Sequence, residues 1–315
     1  VKGRFNLDFK VLPHELKQKQ SLPLEVKIRM TKLRIQEWYE HWDGQVYVSF
    51  SGGKDSTVLL HIVRDMYPDV KAVFFDTGLE YPEIREFVKT IDNVDWVKPK
   101  ISFLDVIKKY GYPVVSKETS RSVYEAKTTK SDYLRNKRLY GDSGGNGKIA
   151  EKWKFLINAP FKIGAKCCDV MKKRPAEKYE KETSLHPIIG TMAQDSRIRQ
   201  QKYLQNGCNG FNLNRPVCLP LSFWLEQDIW EYIKQFNVPY SKIYDMGYQR
   251  TGCMWCMFGV HMEKEPNRFQ LMQDTHPQIY DYCINKLGCG KVMDYCGIKY
   301  KKEEQCEQQE LITLE

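Results

Sequence analysis

Val46-Tyr-Val-Ser-Phe50, then Ser51-Gly-Gly-Lys-Asp-Ser56, then an apolar run opening Thr57-Val-Leu-Leu60, decide the fold of this chain. The order reads as strand, phosphate loop, helix. Adjacent glycines let the backbone turn tightly and expose several N–H groups, while the helix that follows presents its positive end, so a phosphate-rich ligand is favoured there. Lys54 adds a mobile cation and Asp55 a ligand for magnesium. The spacing is neither the Walker pattern, which needs four residues between its first glycine and Gly-Lys-Ser/Thr, nor the dinucleotide-binding G-x-G-x-x-G. An ordinary polar turn is the bland alternative.

Outward from the loop, strand and helix alternate. Leu22 to Trp42 places Leu24, Ile28, Met30, Leu33, Ile35 and Trp38 near helical spacing, which predicts an N-terminal helix packed on the nucleotide domain. Strands are expected over Val46–Phe50, Ala72–Phe75 and Asp95–Lys98, with helices starting at Thr57 and Pro82. Short apolar strands separated by helical patterns imply an α/β fold, a doubly wound and mostly parallel sheet covered on both faces, with ligand at the carboxyl ends of its strands. Pro187–Gly190 reads as another strand, Val217–Leu221 as an extended segment and Asp228–Phe236 as a helix. Asp142-Ser-Gly-Gly-Asn-Gly147 reads as a loop, a mobile insertion near the site. The expected division is an N-terminal helical segment over 1–44, a nucleotide-binding α/β domain over 45–235 with an insertion near 127–150, and a cysteine-containing helical region over 236–315.

Composition bounds the function. The 315 residues suffice for a large core, and no run approaches eighteen consecutive apolar residues. With no signal-peptide pattern at the N-terminus and ten cysteines too sparse for a disulfide scaffold, a cytoplasmic protein without membrane attachment is expected. Net charge is +9, from 49 Lys plus Arg against 40 Asp plus Glu, an excess that suits a nucleotide or nucleic-acid ligand without proving either. It is densest from Lys127 to Arg138, with Lys130, Arg135, Lys137, Tyr133 and Tyr140 nearby, where a solvated helix face competes with a polyanion-binding surface.

The hexapeptide Ser51–Ser56 resembles the pyrophosphate loop of the N-type ATP pyrophosphatases, the adenine nucleotide alpha-hydrolase superfamily with its Rossmann-like fold. Val73-Phe-Phe-Asp-Thr-Gly-Leu-Glu-Tyr-Pro-Glu83 resembles the second-strand motif of the phosphoadenosine phosphosulfate (PAPS) reductase family, in which an apolar strand ends in Asp-Thr-Gly at the nucleotide. Gly190-Thr-Met-Ala-Gln-Asp-Ser-Arg-Ile-Arg199 is similar to that family's Gly-x-Arg-x-x-Glu-Ser-x-x-Arg segment, with Met192 in place of the arginine and Asp195 in place of the glutamate. Pro220–Trp224, Asp228–Tyr232, Pro239-Tyr240 and Tyr244–Tyr248 continue the likeness in order. The resemblance implies that Ser51, Gly52, Gly53, Lys54, Asp55 and Ser56 hold phosphates, that Asp76, Thr77 and Gly78 approach the nucleoside, and that Asp195, Ser196 and Arg199 contact anionic groups. The departure at Met192 puts the sulfate-binding half of a reductase site in doubt.

Cysteines carry the second chemical signal. Cys167-Cys168 precedes Cys253-Met-Trp-Cys256 by about 85 residues, and a C-x-x-C alone is either redox-active or half of a metal site. In adenosine phosphosulfate (APS) reductases and in the sulfur-incorporating enzymes of DNA phosphorothioation systems, the same arrangement holds a [4Fe–4S] cluster. The resemblance therefore implies a cluster on Cys167, Cys168, Cys253 and Cys256 in the helical C-terminal part of the fold, with zinc on the same four residues, or unligated thiols, as the alternatives. Lys166, Lys172, Lys173 and Arg174 are available to offset cluster charge. Cys208, Cys218, Cys283, Cys289 and Cys306 read mostly as buried structural thiols. Tyr295-Cys-Gly-Ile-Lys299 is similar to the Glu-Cys-Gly-x-His segment that carries the attacking thiol of sulfonucleotide reductases, which makes Cys296 a candidate nucleophile lacking the expected basic partner, unless Lys299 assists; a helix ending at Gly297 is the competing reading.

Sulfonucleotide reductases receive sulfate already activated and typically carry a degraded loop, whereas this chain keeps Lys54 and Asp55. The leading expectation is an ATP-dependent sulfurtransferase, closest in motif pattern to the DNA phosphorothioation group, which adenylates a substrate oxygen and replaces it with sulfur. ATP with magnesium is its substrate, a DNA or RNA acceptor is compatible, and a cysteine desulfurase or a thiol reductant supplies sulfur or electrons. The alternatives are a PAPS or APS reductase that releases sulfite from a sulfonucleotide and a non-catalytic nucleotide-binding regulator.

Overall fold

The computed structural model describes residues 9–302. In chain order its helices and strands are α1 (Pro13–Gln20), α2 (Leu24–His41), β1 (Val46–Ser49), α3 (Lys54–Met66), β2 (Lys71–Phe75), α4 (Pro82–Lys89), β3 (Val94–Val97), α5 (Phe103–Tyr110), β4 (Val114–Val115), α6 (Lys117–Thr128) and α7 (Asp132–Tyr140). They continue with α8 (Arg174–Thr183), β5 (His186–Ile189), α9 (Arg197–Asn206), β6 (Asn209–Gly210), β7 (Val217–Cys218), α10 (Glu226–Gln235), β8 (Met257–Phe258), α11 (Arg268–Thr275), α12 (Pro277–Asp281) and α13 (Cys289–Tyr295). No helix among the described residues is long and apolar enough to cross a membrane.

Contacts divide the chain into two units. The first comprises, of the described residues, 9–103, 168–245 and 249–253 and carries a six-stranded sheet in the order β3-β2-β1-β5-β7-β6. All of its neighbours run parallel except β6 against β7. Val46, Tyr47 and Val48 on β1 and Ala72, Val73 and Phe74 on β2 are buried, as continuous apolar runs require in a sheet covered on both faces. From β1 the chain winds to β2 and β3 on one side and later returns to β5 on the other. The topological switch point thus lies between β1 and β5, and the loops leaving their carboxyl ends are Ser51–Gly53 and the segment from Gly190.

Helix α2 shows why its face differs from the one its apolar residues suggest. The buried stripe is Leu24, Lys27, Thr31, Ile35 and Trp38, at helical spacing, and Leu33 stands 48% exposed. Two polar residues occupy the stripe because each has an internal partner. Lys27 Nζ pairs with Asp228 on α10 at 2.7 Å, and Thr31 Oγ1 donates to the Pro220 carbonyl at 3.2 Å while accepting from Trp224 Nε1 at 2.8 Å.

The second unit comprises residues 104–167, 246–248 and, as far as the chain is described, 254–302. This corrects the expected boundaries: residues 104–167 group with the C-terminal part instead of the nucleotide domain, and the N-terminal helices join the sheet. The reason is pairing across sequence. β4 runs parallel to β8, the Gly259 N–H donates to the Val115 carbonyl at 2.8 Å, and Tyr112 OH donates to the Leu287 carbonyl at 2.7 Å. Lys127 to Arg138 is also not one helix. Ser131 caps α7 through the Leu134 N–H, and α7 buries none of its residues, as a solvated face requires. Asp142–Gly147 is a tight loop, its Asp142 carboxylate accepting from the Gly144 and Asn146 N–H groups at 3.1 and 2.9 Å. Residues 303–315, with Cys306, lie outside the described chain.

Candidate nucleotide-binding site

Strand β1 ends at Ser49, and the loop after it closes on itself before α3 begins. Ser56 Oγ accepts from the Ser51 N–H at 3.1 Å and donates to the Gly53 carbonyl at 2.8 Å, while Thr57 Oγ1 donates to the same carbonyl at 3.0 Å. Both glycines are needed. Gly52 sits at φ +71, and a Cβ there would lie 2.8 Å from Ile84 and Val88 side-chain carbons; one on Gly53 would lie 2.6 Å from Thr251 Oγ1. Gly53 caps α3 without a side chain of its own, and the Lys54 N–H donates to Tyr244 OH at 2.8 Å. The remaining N–H groups of this first turn, together with the helix dipole, favour an anion.

Lys54 is buried, its Nζ 3.3 Å from Asp55 Oδ1 and 3.1 Å from Glu226 Oε1, with the Tyr244 ring centroid 5.7 Å away. Burial alone would lower its pKa, but Asp55, Tyr244 and Glu226 outweigh it and hold the ammonium above its ordinary value. Asp55 goes the other way: burial raises its carboxyl, with Asp195 and Glu226 adding repulsion, against the opposing pull of Lys54. The pair is therefore uneven, with the lysine gaining from contact and the carboxylate losing more to desolvation. Asp55 Oδ1 is buried with no hydrogen-bond partner, its contact with Lys54 being an ion-pair distance without hydrogen-bond alignment. An acid in that state beside a phosphate loop fits magnesium, which takes one or two carboxylates and completes its shell with phosphate oxygens and water.

The other switch-point segment approaches from β5. A Cβ on Gly190 would lie 3.0 Å from the Asp55 carbonyl oxygen, so this glycine permits close passage of the two loops. Asp195 accepts from the Met192 N–H at 3.1 Å and pairs with Arg199, while Ser196 caps α9 through the Arg199 N–H at 3.3 Å. These three expected anion contacts are thus engaged with one another, and Met192 is buried. Asp76, at the end of β2, pairs with Arg85 at 2.9 Å and accepts from the Gly78 N–H at 3.2 Å. Thr77 is tied through its N–H and hydroxyl to Glu80, whose carboxylate lies 3.4 Å from Lys172 Nζ.

Lys172 lies on a π-helical turn, Asp169–Lys173, that follows Cys168 directly. Burial works against its ammonium, but Cys253, Glu80 and Cys168 outweigh that and raise its pKa. Burial raises the Cys253 thiol, with Lys172 opposing. Two of the four expected ligands, Cys168 and Cys253, thus share one cation in the first unit, while Cys167 and Cys256 belong to the second. Among the described residues no three His, Cys, Asp or Glu side chains stand together as metal ligands. The donor chemistry of the first unit, two thiols beside an ammonium, is half of what a four-thiolate cluster needs.

Cys296, in the second unit, is buried at the C-terminal cap of α13, with Gly297 at φ +64 after it. Burial pushes its thiol up to about 11, and Lys299 Nζ pairs with Glu265 at 3.2 Å. The segment thus ends a helix, as the competing reading expected, and burial favours the neutral form of the thiol. Sequence reasoning missed Glu226, Thr251, Arg85 and Glu80, and gave Tyr244 no role. The one signal available was that a lysine and an aspartate adjacent in a buried loop need further partners.

Residues 45–258 match the phosphoadenosine phosphosulfate reductase domain. The chain is 25% identical over 259 residues to an uncharacterized protein of Methanocaldococcus jannaschii, covering 80% of this chain and 51% of that one, so it spans about half that relative's length. It is 25% identical over 252 residues to the adenosine 5′-phosphosulfate reductase of Anoxybacillus flavithermus, covering 80% and 89%. Among solved structures, the PAPS reductase of Candida auris in its phosphate complex aligns with a TM-score of 0.41 and 16% identity, over 77% of this chain and 96% of that one. The U34-tRNA thiolase of Methanococcus maripaludis with its [4Fe–4S] cluster aligns at 0.37 and 14%, over 92% and 86%.

Proposed function

Because the chain belongs to the phosphoadenosine phosphosulfate reductase domain family, we propose that it is an ATP-dependent sulfurtransferase that adenylates a substrate oxygen, releases pyrophosphate, and lets sulfur displace AMP. The observation that carries this reading is the intact Lys54–Asp55 pair at the switch point, the lysine held by Asp55 and Glu226 and the aspartate's Oδ1 buried in that ion pair without a hydrogen bond.

In this reading the N–H groups of Ser51–Ser56 cradle the β- and γ-phosphates. Lys54 exchanges Glu226 for the departing pyrophosphate and stabilises charge as the α–β bond breaks, and Asp55 would hold magnesium on the same oxygens. The acceptor oxygen forms the new bond to the α-phosphorus, and Asp76, fixed by Arg85, faces the nucleoside. Cys167, Cys168, Cys253 and Cys256 would hold a [4Fe–4S] cluster, or zinc, on the strength of their residue types. When bound, a cluster would supply a place to hold sulfur. A DNA or RNA acceptor, and a cysteine desulfurase as sulfur source, belong to the same proposal.

The test is incubation of the chain with ATP, magnesium and sulfide, with tRNA or duplex DNA as acceptor, and chromatography of the nucleotides. AMP and pyrophosphate in equal amounts support the reading. Sulfite from APS or PAPS, with no ATP cleavage, replaces it by the reductase reading, for which the likeness to APS reductases speaks. Iron and sulfide content of anaerobically purified protein decides between cluster and zinc.

A further inference from the structure

Positive charge is concentrated in the second unit. Residues 117–162 hold eleven Lys and Arg against five Asp and Glu, so a net +6 of the chain's +9 sits in 46 of its 315 residues. Four of the five acids are answered from within. Glu125 meets Arg121 and Arg138, Asp132 meets Arg135, Asp142 meets Lys137, and Glu151 meets Lys154. Six lysines remain against one acid, Glu118, and Lys130, Lys148 and Lys152 are exposed with no acidic partner among the described residues. Internal pairing thus leaves the excess facing water, where it attracts anions.

The same elements expose rings that the fold does not need. α7 buries none of its residues, yet Tyr133 and Tyr140 stand on it 71% and 70% exposed. Seven residues apart, they share one face of the helix, with Asn136 and Lys137 between them. The 3₁₀ helix Glu151–Asn158 adjoins that face, with Lys154 Nζ 6.0 Å from the Tyr140 ring centroid. Lys152 Nζ lies 5.5 Å from the centre of the Trp153 ring, Trp153 lies 6.1 Å from Phe155, and Phe155 lies 5.6 Å from Tyr295. Phe155 and Tyr295 are themselves exposed. Cations and rings therefore interleave from Tyr133 to Tyr295. A merely solvated helix face explains the charges but not the clustered rings, and an ordinary protein partner suits the rings but not the surplus of lysines.

We propose that this face of the second unit binds a single-stranded nucleic acid, its bases stacking on Tyr133, Tyr140 and Phe155 and its phosphates drawn by Lys130, Lys148 and Lys152. A strand with unpaired bases offers planar faces and phosphates together, whereas a duplex keeps its base faces stacked inside. Stacking of this kind tolerates any base, so the face holds a strand without reading its sequence. That the bound strand is the acceptor of sulfur rests on the sulfurtransferase reading; the binding itself does not.

Fluorescence anisotropy of the full chain with a labelled oligothymidylate of about fifteen nucleotides, in the absence of ATP, tests each element. A dissociation constant of about 0.1 mM or tighter at physiological salt is expected, and a weaker one overturns the proposal. An abasic oligomer of equal length and charge binds about tenfold more weakly for want of stacking, and a duplex of that length also binds more weakly despite its greater charge. Tyr133→Ala/Tyr140→Ala loses about tenfold in affinity for oligothymidylate but none for the abasic oligomer, and its thermal unfolding is unchanged because both rings are exposed and alanine suits a helix. Lys130→Ala/Lys152→Ala, which breaks no ion pair among the described residues, flattens the slope of log affinity against log salt by about 1. Equal binding of the thymidylate and abasic oligomers, a duplex held as tightly as the strand, or indifference to either pair of substitutions overturns the proposal. So does binding to phosphatidylserine vesicles with none to oligothymidylate, which assigns the face to a membrane surface. The comparison of oligomers uses the unaltered chain without ATP, so neither a variant that fails to fold nor a chain that cleaves no ATP obscures the answer.

Discussion

Lys27 and Lys54 are buried to nearly the same degree, and the acids that meet them, Asp228 and Glu226, are two residues apart in the first turn of α10. They nevertheless occupy opposite regimes. Lys27 and Asp228, 1% and 4% exposed, form a sealed pair, with Asp228 also accepting from the Leu225 N–H. Lys54 is 5% exposed, but its partners Asp55 and Glu226 keep 29% and 42% of their surface open to water. The sealed pair can only be broken, whereas the open one can trade partners. Exchange of an exposed carboxylate for a phosphate costs little, because water takes over the released acid. What separates a structural lysine from a working one here is the exposure of its counterions, not its own.

The largest effect is expected where the comparison is harshest. Lys27→Met leaves Asp228 charged and buried without its cation, and should lower stability by about 3–5 kcal/mol in urea unfolding. Adding Asp228→Leu should recover most of that loss, since an apolar pair of similar volume is tolerated where a lone charge is not. A double variant as unstable as the single one would mean that the carboxylate does more at the α10 N-terminus than answer Lys27.

Lys54→Met is the counterpart. Glu226 stays hydrated but the buried Asp55 Oδ1 loses its ion-pair partner, so stability should fall by about 1–2 kcal/mol, less than for Lys27→Met, while ATP-to-AMP turnover falls about 10²–10³-fold through loss of the cation on the departing pyrophosphate. Thermal unfolding and a pyrophosphate-release assay on the same preparation check both halves. A variant that unfolds as readily as Lys27→Met would place Lys54 among the structural lysines and remove the basis of the sulfurtransferase reading.

Gly53→Ala probes how firmly the loop holds Lys54 in place. Gly53 has φ −80, which alanine accepts, so the whole penalty is the contact of the new methyl with Thr251 Oγ1 and Tyr244 OH. Overpacking of this kind costs about 1–3 kcal/mol and should appear as weaker ATP binding by calorimetry, because Tyr244 OH also receives the Lys54 N–H. Thr251→Ala in the same chain opens the space and should restore most of the affinity.

How much of this was legible beforehand follows from the range of the interactions. The loop, β1, β2, α3 and α4 rest on runs of neighbouring residues, and sequence periodicity places them within a residue or a turn of where they stand. The buried face of α2 was misread, because Lys27 and Thr31 count as polar until Asp228 and Pro220, some two hundred residues away, are seen to receive them. Glu226 was invisible for the same reason. The boundary of the second unit escaped because β4 and β8 are two residues each, too short to show a period. The expected roles of Ser196 and Arg199 were read from a motif, and the helix cap and internal ion pair they form show how a motif residue can serve the segment's own geometry.

The smallest effect should come from Cys296, and there the absence of change carries the information. Burial holds its pKa at about 11, above the ordinary thiol value of 9.0, so the fold favours the neutral thiol. The sign follows: the stability this group contributes is fully present below its ordinary value and is lost as pH rises through about 11. At neutral pH almost no thiolate exists, and alkylation by iodoacetamide, followed by peptide mass spectrometry, should accelerate about tenfold per pH unit until it levels near that value. Cys296→Ser should then leave ATP-to-AMP turnover within about twofold, as expected for a surplus thiol outside the phosphate chemistry. An alkylation rate already level at pH 8, together with loss of sulfite release in the serine variant, would identify an activated nucleophile. The chemistry would then belong to this thiol rather than to Lys54, as a reductase requires.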